Sequence, residues 1–194
     1  MVRELAGAKA KDSYLSKASM VADVECPVKI VGETVDRIFK NGKLVEEIKG
    51  HNLVVNQFLN LCMALMKGQS GYSGLTYWAV GSGADSWDST MPSPSVGDTA
   101  LTNEIGRVAI APSEISFLDS NGNVSANPTN IIQIVHTFGI NDCNGKWREF
   151  GIFGGTATAT SGSGVMINKR HHAVITKSTD MTIERTMKFT ITLA

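Results

Sequence analysis

At 194 residues, with Lys plus Arg and Asp plus Glu equal at 18 each and a formal net charge of zero, the chain can bury the core of one domain that carries an extended arm. The charge balance argues against nucleic acid as a partner, which would need clustered excess base. The mostly apolar stretches Leu53 to Met66 and Thr76 to Val80 are too short to span a bilayer, the opening MVRELAGAKAKDS lacks the apolar run of a secretory signal, and three cysteines without CxxC spacing, Cys26, Cys62 and Cys143, read as free thiols.

Residues 1–25 are rich in Ala, Lys, Asp and Ser. Leu5 and Leu15 are too far apart to define a sustained stripe, so this segment reads as an extended arm that orders against a neighbour, with those two leucines as its contact residues. A single domain is expected over 26–194. Its first element is a hairpin over 34–48, TVDRIFKNGKLVEEI, because Asn41-Gly42 tolerates the positive φ of a type I′ turn. That turn pairs Phe39 with Leu44, Arg37 with Glu46 and Val35 with Ile48 on one side of the ribbon.

The next stretch predicts a helix over about 56–67. Phe58, Leu61, Cys62, Leu65 and Met66 recur at amphipathic spacing, Asn56 is the candidate N-cap, and Gly68 is the stop. Beyond Gly74, Thr, Val, Ile and aromatic residues alternate with Gly, Asn, Ser and Pro. Strands are expected near 75–80, 105–110, 114–119, 130–139, 147–153, 165–168, 172–177 and 181–193. In the last, Met181, Ile183, Met187, Phe189, Ile191 and Leu193 all occupy odd positions, and only Arg185 breaks the apolar face. The fold class is mainly β: an antiparallel β-sandwich with one amphipathic helix.

Gly81-Ser82-Gly83 follows a strand, yet Ser86 stands where a dinucleotide fingerprint needs its third glycine, and Pro92, Pro94 and Gly97 prevent a following helix. Residues 81–98 therefore read as a long surface loop, with no cofactor expected. His171 and His172 are neighbours in a strand and point to opposite faces, so they do not chelate one ion together, and no metal is expected. Asp119-Ser120-Asn121-Gly122-Asn123 has the start of a calcium loop without its closing bidentate acid, and reads as a turn. The acids Asp85, Asp88, Asp98, Glu104, Asp119, Asp142 and Glu149 are scattered, no GxSxG elbow is present, and Cys143 lies in the turn NDCNGKW. Trp78 and Trp147 fit the core. Trp87, flanked by Asp85 and Asp88 in the long loop, is the candidate contact with a partner.

Residues 50–194 resemble a family of tailed-bacteriophage virion proteins of the tail, baseplate and fibre-associated class. The resemblance rests on three segments in order: GHNLVVNQFLNLCMALMKG; YWAVGSGADSWDSTMPSPSVGDTALTNEIGR; and WREFGIFGG followed, after a Gly-rich interval, by VMINKRHHAVITKSTDMTIERTMKFTI. Gln57 stands where the family commonly has Gly, and the arm and hairpin lie outside the shared region. Local chemistry suits structural roles for the shared residues. Asp98-Thr99 can turn the loop back into the sheet, Glu104 and Arg107 can tie its exit to the core, Glu149 opens the third motif, and Gly151 suggests a close backbone approach.

The resemblance implies a non-enzymatic structural subunit of the virion tail, at the baseplate, fibre attachment or collar, made and assembled in the host cytoplasm. Its partners are further copies of itself and other virion proteins, met through sheet edges, the long loop and the arm. The alternatives are a receptor- or carbohydrate-binding adsorption module that meets a host surface receptor, a head-decoration or neck protein, and a glycan hydrolase with paired carboxylates in a groove.

Overall fold

Turn chemistry starts the fold. Asn41 and Gly42 adopt φ of 50° and 75°, which is the I′ geometry, and they join β1 (Val28–Lys40) to β2 (Lys43–Val54). The computed structural model describes residues 28–193. The arm expected over 1–25, its Leu5 and Leu15, and Cys26 lie outside the described residues.

The hairpin register departs from expectation two pairs past the turn. Phe39 does face Leu44, but a bulge then leaves Val45 unpaired, so Ile38 faces Glu46, Arg37 faces Glu47, Asp36 faces Ile48 and Val35 faces Lys49. The reason is burial. Thr34, Asp36 and Ile38 form the inward face of β1, and the extra residue turns Ile48 to that side, where it packs on the core. Arg37 keeps an acidic partner across the ribbon in Glu47, at 3.1 Å, and gains Glu184, also at 3.1 Å.

Helix α1 (Gln57–Met66) follows. Gly68, at φ 66°, terminates it as expected, and the Gly68 amide donates to the Leu65 carbonyl. Asn56 occupies the N-cap position without capping: it is itself helical (φ −57°, ψ −29°) and its side chain makes no cap hydrogen bond. Leu61 is buried against the sheet. Met66, expected on the same face, points to solvent, because the helix lies with Leu61 rather than Cys62 at the centre of its buried arc.

The remaining strands are β3 (Ser73–Gly81), β4 (Glu104–Ala109), β5 (Ile115–Leu118), β6 (Val124–Ser125), β7 (Ile131–Phe138), β8 (Gly145–Gly155), β9 (Val165–Lys177) and β10 (Met181–Leu193). β9 unites the two strands expected at 165–168 and 172–177. The polar residues between them stay in the ladder, where Lys169, Arg170 and His171 pair with Gly151, Phe150 and Glu149. Among the described residues the fold is mainly β with one α-helix, and its strands make one antiparallel sheet in the order β4-β3-β8-β9-β2-β1-β10-β7-β5-β6.

The two ends of that single sheet share one core. β2 pairs with β1 along most of its length and touches β9 only through Leu53 and Val54. The core then draws Ile38, Ile134, Phe138, Ile183 and Met187 from one end of the sheet, and Trp78, Trp147, Phe150, Ile152 and Ile167 from the other. At its centre lies Arg185, the residue that broke the apolar face of the last strand. It is wholly buried, forms a two-pronged ion pair with Asp36 (Nε to Oδ1 2.5 Å, Nη2 to Oδ2 3.0 Å), and stacks 3.8 Å from the Phe150 ring centre. Burial alone pushes the Asp36 carboxyl up, but the charge and hydrogen bonds of Arg185 more than offset it and hold the pKa below the ordinary aspartate value.

His172 enters the same cluster. Burial, and then the charge of Arg185, depress its pKa from 6.5 to about 4, so it is neutral in the folded protein. Its Nδ1 lies 2.7 Å from the Ala173 carbonyl, which can only accept, so Nδ1 carries the proton. The unfolded chain binds a proton below pH 6.5 that the folded chain refuses down to about pH 4. Stability is therefore full above that window and falls as the pH drops through it, by about 3 kcal/mol at most. Urea unfolding at pH 7 and pH 4.5 checks this: His172→Gln should flatten the dependence, and an unchanged slope would remove His172 as its source.

Candidate functional site

The long stretch between β3 and β4, residues 82–103, has little regular structure of its own beyond a short 3-10 turn at Asp85–Asp88. Its backbone groups need partners, and charged side chains on the outer face of β8 and β9 supply them. Those strands are buried on both faces: the core covers one, while the loop covers the other over a second small apolar cluster of Val55, Ala79, Leu101, Phe153 and Met166.

At the loop exit the Glu149 carboxylate, wholly buried, accepts from the Thr102 amide at 3.0 Å and the Asn103 amide at 2.9 Å. Lys169 Nζ lies 3.4 Å from Glu149 and 3.3 Å from Asp98, and donates to the Ala100 carbonyl at 3.1 Å. At the loop entrance Arg148 donates to the Ala84 carbonyl at 2.9 Å and pairs with Asp88. Between these anchors His171 Nδ1 meets the Pro92 carbonyl at 2.7 Å, and its ring packs 4.3 Å from that of Trp87. The Ser82 amide donates to the Asn103 carbonyl at 2.9 Å, which closes the loop at its base. Gly83, at φ 64°, lies directly under the Trp87 ring, so a Cβ there would fall 2.3 Å from it.

The sequence-derived candidates fall around this latch in different ways. Asp98 does turn the chain, since the Ser95 amide donates to its carboxylate at 3.1 Å, and it adds the Lys169 pair. Glu104 and Arg107 pair with each other, but the guanidinium continues to the Ser163 carbonyl at 2.9 Å and so fastens the 156–164 loop rather than the 82–103 exit. Gly151 is a close approach as expected: a Cβ there would sit 2.7 Å from the Asn168 carbonyl oxygen. Trp87 is half-buried on His171 and not free in solvent, while Asp85 stays exposed.

Trp78 and Trp147 are core residues with no exposed surface. Sequence reasoning missed Arg148 and Lys169, and placed His171 in a strand without its loop partners. Their one signal was charge inside strand patterns, as in VMINKRHH, where an exposed edge and a face covered by a loop look alike.

No protein-family model, curated protein or solved structure matches this chain. Function therefore rests on the geometry. Among the described residues, no three of His, Cys, Asp and Glu come together as a metal-ligand set, and no helix is long and apolar enough to cross a membrane. His171 and His172 do point to opposite faces, one to the loop and one to the core, and His136 meets Glu114 at 2.8 Å. Asp119 accepts from the amides of Asn121 at 2.8 Å and Asn123 at 2.9 Å, which completes a turn. The Cys143 thiol is pushed up to about 11, first by burial and then by the charge of Asp142, which suppresses its thiolate.

Among the described residues, hollows open at two places on the surface. One, of about 400 Å³, lies over the outer face of β2, β1, β10 and β7. Its charges are partly paired, with Lys188 to Glu33 at 2.5 Å and Lys49 to Glu47 at 3.1 Å. The other, of about 220 Å³, is apolar and runs beside α1. Chemically, the latch is a fastening device: the buried carboxylate is capped by two amides and an ammonium.

Proposed function

We propose that this chain is a structural subunit of a bacteriophage virion, placed in the tail at the baseplate, fibre attachment or collar, and acting by assembly with copies of itself and other virion proteins. The observation that carries the reading is the latch. Glu149, Lys169, Arg148 and His171, the polar groups beneath the long loop, are engaged in holding 22 residues of irregular chain (82 through 103) on the sheet. Such an arrangement favours a rigid surface over a reactive cleft, and rigidity is what a repeated building block needs. The zero net charge adds to this, since it sets no electrostatic barrier to packing like against like. Immunogold labelling of tailed particles from a lysate that produces this chain tests the reading. Gold on the tail is expected, and unlabelled particles would overturn it.

Adsorption to a receptor or glycan is the second reading, favoured by the half-exposed Trp87 beside exposed Asp85. Trp87→Ala separates the two. A structural role predicts a stability loss of about 1 kcal/mol through loss of the His171 stack, read as a lower melting temperature, with particles that adsorb normally. Intact particles that fail to adsorb would transfer the assignment to the adsorption role.

A further inference from the structure

Of the ten residues of α1, QFLNLCMALM, only Gln57 and Asn60 are polar and none is charged. A helix apolar on all sides belongs in an interior, yet α1 packs on the sheet with one arc only. Phe58, Leu61, Cys62 and Leu65 face the sheet and the apolar groove beside it, which is floored by Leu75, Ile132 and Phe189. Opposite Leu61, a second stripe of Leu59, Met63 and Met66 stands in solvent, exposed by 56, 64 and 81%. Its i, i+4, i+7 spacing is that of a seam between two helices.

We infer that this stripe docks against the α1 of a second copy of the chain, the two helices crossing about a two-fold axis so that the ridge of each enters the groove of the other. The inference rests on the assembly reading above and names its surface and partner. Three observations select a second copy. Ridge and groove lie side by side on one helix, and that self-complementary shape is what a two-fold interface requires.

The charge pattern also matches: neither ridge nor groove carries an ionisable side chain apart from the Cys62 thiol, so a charged partner would be left unpaired there, whereas a second copy presents the same neutral surface. The sheet edges, in turn, are guarded. Of the two edge strands, β4 is fastened to the 156–164 loop through Arg107 and β6 has two residues, while the stretch of the interior strand β2 that β9 leaves unpaired carries its bulge at Val45 among Lys43, Glu46, Glu47 and Lys49. Strand addition is thereby disfavoured and the helix face is the route left.

At about 15 Å the helix is short, so the association should vary with concentration. Sedimentation of the full chain over a concentration series is expected to rise from the monomer mass to twice that value. Met63→Glu and Met66→Glu, which keep a good helix former at exposed positions, should return it to monomer with an unchanged circular dichroism spectrum and, at concentrations where the wild type is also monomeric, an unchanged melting temperature. Val135→Glu, on the outer face of β7, should leave the doubled mass intact.

A wild-type chain that stays monomeric at every concentration overturns the inference, and so does a doubled mass that survives both methionine variants. The second result leaves the assembly reading standing on another surface. A monomer that instead floats with neutral phosphatidylcholine vesicles through Met63 and Met66 overturns it too and gives the stripe a lipid occupant. Tail labelling is scored independently, so failure here and failure of the virion assignment are told apart.

Discussion

Replacing Arg185 with methionine is expected to lower the unfolding free energy by about 3–5 kcal/mol, read as a fall in the urea midpoint at pH 7. The guanidinium is wholly buried, bonds both oxygens of Asp36 and lies against the Phe150 ring. Removing it strands a carboxylate in an apolar interior, and a stranded charge costs more than the pair contributes.

The control is the double variant Asp36→Leu with Arg185→Met, which should recover most of the loss because neither charge is then left alone. A single variant that loses less than about 1 kcal/mol would contradict the account, as would a double variant no better than the single. Acid provides an independent readout. The folded-state pKa of Asp36 lies below its unfolded value of 3.8, so the stabilisation is present above that pH and is lost as the pH falls through the folded value. The His172 window lies above it and is separable.

Glu149→Ala is expected to free the long loop, with a stability loss of about 3–5 kcal/mol, since hydrogen bonds to a charged group contribute about 1.5–3 kcal/mol each. The Thr102 and Asn103 amides lose their acceptor, and Lys169 loses its buried carboxylate while keeping Asp98, the Ala100 carbonyl and the Thr102 hydroxyl. Hydrogen exchange localises the effect. Amides of 82–103 should exchange faster while those of β7 and β10, paired at the other end of the sheet, keep their protection relative to the global stability. A loop that stays protected in this variant would show that Leu101 and its apolar neighbours hold it down without the charged latch.

Both experiments turn on residues whose role was only half legible. Arg185 announced itself as the one exception on an alternating apolar face, but an exception does not name its partner. Asp36 lies 149 positions away, and the hairpin pattern placed it on the side opposite Val35, Arg37 and Phe39 without saying that this was the buried side. The bulge at Val45 was hidden for a related reason: turn chemistry fixes the first pairs past Asn41-Gly42, while the register beyond depends on which face of β2 the core requires. In α1 the spacing located the helix and its stop at Gly68, yet two apolar arcs fit a ten-residue helix with eight apolar residues, and only contact with the sheet chose the one centred on Leu61. Trp87 was placed correctly in a loop, but its half-burial depends on His171, which belongs to β9.

What the sequence determined by itself was local: the Asn41-Gly42 turn, the helix, the positions of the strands and the core tryptophans Trp78 and Trp147. Each follows from short-range backbone preference or from a periodicity that a single segment carries. Tertiary structure alone decided the strand order, the sharing of one core by the two ends of a single sheet, the Asp36–Arg185 pair and the latching of 82–103 by Glu149, Lys169, Arg148 and His171. Those depend on which distant segments meet. A charged side chain in a strand reads the same from its own neighbours whether it will face water, a buried counter-charge or an unpaired amide, and the difference arises only when the chain closes over it.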